Sequence, residues 1–118
     1  MQIRSISNTN FGLKIDPYMQ KILDASKMQI AEKGQAELNK WEKAVNKMKS
    51  TLSDDYCIYA AKDDIYPNFY IDVYLMSDLS KNYLFEQLKQ MSGKFIDTNM
   101  LKFLTEQINN IKKEHKIS

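Results

Sequence analysis

NFYIDVYLM, residues 68–76, alternates with the period of a strand. Phe69, Ile71, Val73 and Leu75 fall on one side, and Tyr70, Asp72, Tyr74 and Met76 on the other. The first side is apolar throughout and reads as core. The second is only half polar, which is unusual for a strand whose outer face meets water. YCIYAAK, residues 56–62, is a second run rich in β-branched and aromatic residues. DDIYPN, residues 63–68, separates the two, with Pro67 as the breaker. The pair predicts a central antiparallel hairpin.

Outward from that hairpin, the chain reads as helical. Asp16-Pro17 is a strong helix start, because Asp caps free amides and Pro tolerates the first helical position. The stretch Tyr18–Lys33 carries apolar residues at ragged helical spacing. Beyond Gly34, Leu38, Trp41, Val45, Met48 and Leu52 step by three, four, three and four, an amphipathic seam. Nothing besides Gly34 signals a turn, and a glycine inside a helix costs only about 1 kcal/mol. The reading is therefore one long helix, continuous or kinked at Gly34. On the far side, Leu79, Leu84, Leu88 and Met91 suggest a helix capped by Ser77, Asp78 or Ser80 and stopped at Gly93. Leu101, Leu104, Ile108 and Ile111 suggest a last helix starting at Asp97 or Thr98. The N-terminal sixteen residues, with turn formers at Ser7–Asn10 and Gly12, read as an extended segment or short hairpin. The expected fold is α+β in one domain over residues 1–118: N-terminal extended segment, long helix, central hairpin, two C-terminal helices.

Composition narrows the chemistry. The 118 residues are 43% hydrophobic and 27% charged, with 17 basic against 15 acidic residues. That balance gives little long-range steering toward phosphate backbones. The longest apolar stretch, Tyr56–Ala61, is far short of a membrane span, and no signal-like apolar run opens the chain. One cysteine, Cys57, allows no internal disulfide, so the expected compartment is the cytoplasm. Cys57 and His115 are the only residues of their kinds and lie in different predicted elements. They read as a small core residue and a helix-end cation rather than as a nucleophilic pair. Asp54-Asp55 and Asp63-Asp64 bracket a strand of up to about 25 Å, too far apart to share one ion. No catalytic, cofactor or metal site is expected, and no enzyme.

Two surfaces remain. A continuous helix from residue 17 to 50 would run about 50 Å, against a domain about 35 Å across. Its overhang would need a partner, most simply a second copy. Leu38, Trp41, Val45 and Met48 are the expected contacts there, although packing on the chain's own sheet accounts for the same seam. Tyr70 and Tyr74, on the second side of the strand, are the expected contacts for a protein partner. Helices covering both sheet faces would explain them equally. The expected function is a protein-interaction module, self-associating or binding another protein. The alternative is a nucleic-acid accessory protein using Lys112, Lys113 and Lys116, cations that a helix C-terminus attracts in any case.

Overall fold

Asp16 and Pro17 open the first helix as the sequence suggests. In the computed structural model, which describes residues 14–53, 55–65, 68–79 and 82–115, the Asp16 carboxylate accepts from the Met19 amide at 3.1 Å and Pro17 is the first residue of α1 (Pro17–Ala31). Residues 1–13, Pro67, Lys116 and the side chain of Phe69 lie outside the described parts, so the expected N-terminal hairpin does too. Lys14–Asp16 is extended and runs parallel to the first strand: the Asp16 amide donates to the Ile58 carbonyl, and the Ile58 amide to Lys14, both at 2.9 Å.

The long helix is two helices. α1 ends at Ala31, and α2 (Gln35–Ser50) begins after Gly34. Gly34 has φ 115° and ψ 166°, a region essentially closed to any residue with a Cβ. A glycine was tolerable inside a helix, but here its freedom is used to reverse the chain. The described chain extends 44 Å along its longest axis, shorter than the continuous helix would have been. Folding back lets both helices bury an apolar face: Met19, Ile22, Leu23 and Ile30 from α1, and Trp41, Ala44, Val45 and Met48 from α2. No overhang remains, and with it goes the reason to require a second copy.

The central hairpin is part of a larger sheet. β1 (Tyr56–Ile65), β2 (Asn68–Leu79) and β3 (Asn82–Met91) form an antiparallel meander in the order β1-β2-β3. β3 replaces the first of the two expected C-terminal helices, and the expected cap residue Ser77 is a buried position of β2. The misreading has a definite cause. Leu84, Leu88 and Met91 step by four and three, which suits a helix. A strand with one bulge gives the same result. Tyr74 pairs with Gln87 and Val73 with Lys89, leaving Leu88 as the extra residue. The bulge brings Leu84, Leu88 and Met91 to one side, where all three are buried.

α3 (Thr98–Glu114) completes the order α α β β β α. Asp97 caps it, accepting from the Met100 amide at 2.8 Å. Leu101, Leu104, Ile108 and Ile111 are buried, as their spacing predicts. One core holds the layers together. Ile58, Ala60, Ile71, Val73 and Leu75 from the first face of the sheet pack with Met19, Leu23, Met48, Leu101, Leu104 and Ile108 from the helices. Two hydrogen bonds tie the β3–α3 connection down. The Trp41 indole donates to the Ile96 carbonyl at 2.8 Å, and the Ile96 amide to Ser26 Oγ at 2.9 Å.

Candidate interaction surface on the open sheet face

The strand register assigns the second face. Tyr59 lies opposite Tyr74, Asp63 opposite Tyr70 and Cys57 opposite Met76. From β3, Phe85 lies opposite Met76, Gln87 opposite Tyr74 and Gln90 opposite Asp72. None of these residues belongs to the core that the three helices share with the first face. Among the described residues, the helices therefore cover one side of the sheet only.

The uncovered side is organised. Tyr74 and Phe85 stack with centroids 4.3 Å apart and planes 21° from parallel. Tyr59 meets Phe85 edge-on at 6.2 Å and 60°, both favoured aromatic geometries. Phe85 remains 43% exposed, one of three large apolar side chains so placed among the described residues. Tyr59, Tyr74 and Met76 are half-buried around it, and Tyr70 is half-buried further along β2, opposite Asp63.

Asp72 sits beside this stack and is 5% exposed although no described helix covers it. Its Oδ1 accepts from the side-chain amides of Gln87 at 3.0 Å and Gln90 at 2.9 Å. Residues three apart would face opposite ways on a regular strand. The bulge at Leu88 puts both glutamines on the Asp72 side. The Tyr74 phenol is pushed above its ordinary value, first by burial and then by the Asp72 and Asp63 carboxylates. It stays neutral at physiological pH. The two side-chain amides thus replace water around the carboxylate, but they add no positive charge. The described charges on this face, Asp63 and Asp72, are both acidic.

The other expected residues lie elsewhere. Trp41, Val45 and Met48 are buried in the chain's own core, and Leu38 packs against it. Lys112 turns inward: its Nζ donates to the Thr51 carbonyl at 2.8 Å and lies 5.8 Å from the Tyr56 ring centre. Lys113 is exposed. Cys57 and His115 are not brought together, since His115 contacts Glu86 at 2.9 Å on the far strand, β3. Burial, with the Asp16 carboxylate, pushes the Cys57 thiol up to about 11, which leaves little thiolate to attack anything. Among the described residues no group of three or more His, Cys, Asp or Glu side chains is placed to hold a metal ion, and no helix is long and apolar enough to cross a membrane.

Alternation along β2 was enough to single out Tyr70 and Tyr74. Tyr59 needed the register, and Phe85 was hidden by the helical reading of its segment. No protein-family model, curated protein or solved structure matches the chain.

Proposed function

We propose that this chain is a non-enzymatic protein-interaction module that docks its partner on the open sheet face. The observation that carries the reading is the Tyr59–Phe85–Tyr74 cluster, packed ring against ring on the side away from the helices. Aromatic residues and Met are the types enriched in interface cores. Tyrosine also keeps its hydroxyl wet while the ring is covered, so the surface stays soluble when no partner is bound.

Charge indicates what kind of partner. Asp63 and Asp72 give the described part of the face one sign. Two copies stacked face to face would oppose carboxylate to carboxylate, whereas a partner with apolar and basic side chains would meet rings and acids together. A different protein therefore fits this face better than a second copy does. The lone buried cysteine suits a reducing compartment, and the cytoplasm is where we place the encounter. The nucleic-acid reading draws no support from Lys112, whose ammonium is held by Thr51.

A photo-crosslinking side chain tests this in the source cells. Placed at Phe85 it should capture a discrete protein, and the same probe at Gln29, exposed on α1, should not. Tyr74→Ala in the Phe85 probe background should abolish the adduct. Equal capture from both positions, or capture that survives Tyr74→Ala, would remove the sheet face as the docking surface.

A further inference from the structure

The geometry points to a second docking site, on the opposite side of the molecule: the trough between α2 and α3, fitted to an acidic amphipathic segment of a polypeptide. This goes beyond the proposed function and shares no residue with the sheet face. The trough holds about 510 Å³. Lys40, Lys43 and Lys47 line one wall from α2, and Lys102 stands on the other from α3. Ala44, 8% exposed, and Thr105, 6% exposed, form a floor with little side-chain bulk. A second hollow of about 330 Å³ continues it, sharing Lys40, Thr98 and Lys102; it adds Lys33 but also the Glu37 and Asp97 carboxylates, so the excess of positive charge lies in the first trough.

These lysines are poorly compensated. Among the described residues no carboxylate lies within ion-pair distance of Lys43, Lys47 or Lys102, and Lys40 reaches Glu37 only at 3.8 Å on an open surface. Positions 40, 43 and 47 share one helical face and span about 10 Å along α2. A helix laid in the trough with small apolar residues downward and carboxylates at similar spacing on its flanks would meet lysines on both walls.

A polypeptide fits better than a nucleic acid. No aromatic ring lines either hollow, so unpaired bases would find nothing to stack on. Glu106 in the wall would repel a continuous run of phosphates, while an apolar stripe with spaced carboxylates can avoid it.

Three labelled probes decide the matter: a synthetic helical peptide with an alanine stripe flanked by glutamates, the same peptide with lysines for glutamates, and a fifteen-nucleotide oligothymidine. The glutamate peptide should bind at low salt, weaken as salt rises, and shift the backbone amide resonances of α2 and α3 while leaving β2 still. K43E/K102E should weaken it about tenfold, two exposed pairs lost together. Both sites are exposed, so the thermal unfolding of that variant should match the wild type. Phe85→Ser should leave peptide affinity unchanged, which separates this site from the sheet face. Equal binding of the lysine peptide, tighter binding of the oligonucleotide, or indifference to K43E/K102E would each overturn the proposal.

Discussion

Leu75 and Tyr74 are neighbours in the same strand, yet Leu75 is completely buried while Tyr74 is only half-buried. The difference is one of faces. On the first, aliphatic side chains from three strands meet three helices. On the second, four rings, a methionine, the Asp63 carboxylate and an Asp72 carboxylate held by two side-chain amides meet no described helix. Alternation along β2, with the bulge in β3, generates both surfaces from one sequence. The covered side holds the stability of the fold, and the uncovered side is free to carry a function. Substitutions should therefore divide by side of the sheet rather than by position along the strand.

The largest effect belongs to the covered face. Leu75→Ala should destabilise by about 2–5 kcal/mol in urea unfolding, because a rigid core does not close around the lost methyl groups. A comparable loss from Phe85→Ala would erase the contrast between the faces. Next comes the turn that lets two helices share the covered face. Gly34→Ala has open space for its Cβ, so its cost is backbone strain alone, about 1–3 kcal/mol. An unchanged melting curve would show that the chain does not need that conformation.

Alkali probes Cys57, on the uncovered side but buried. Its thiol rises from an ordinary 9.0 to about 11 in the fold, so the folded state binds that proton more tightly. The associated stability is fully present below pH 9 and is lost as pH rises toward 11. Cys57→Ala should flatten that part of the stability profile measured by urea unfolding.

Ser77 tests how apolar the covered face is. Its hydroxyl is buried and has no hydrogen-bond partner. Ser77→Ala should raise stability by about 1 kcal/mol, since it removes a desolvated group that gains nothing in return. The smallest change should come from the open face itself. Phe85→Ala gives up its ring contacts, about 1 kcal/mol, and should leave the fold intact, as read by urea unfolding.

Sequence reasoning reached different depths in different places. Asp16-Pro17 and Asp97 marked two helix starts because a capping carboxylate has a local signature. The Ile71–Leu75 alternation marked the hairpin and its core side. Gly34 was ambiguous, since one residue permits both a continuous helix and a reversal, and only tertiary packing decides between them. β3 was misread because a bulge at Leu88 converts strand spacing into apparent helical spacing. That error also hid Phe85, the centre of the aromatic cluster. The Leu38–Met48 seam was read correctly as amphipathic, but spacing does not say whether such a face meets its own chain or another. Helix-to-helix folding through Gly34 turned it inward.

Hydroxyl-radical footprinting of the free chain tests the one-sided sheet most directly. A sheet with one open face predicts rapid oxidation at Phe85, Tyr74 and Met76 beside strong protection of Leu75 and Leu88. Protection of Phe85, Tyr74 and Met76 to the same degree as Leu75 would contradict it, and would leave no exposed surface there for a partner to occupy.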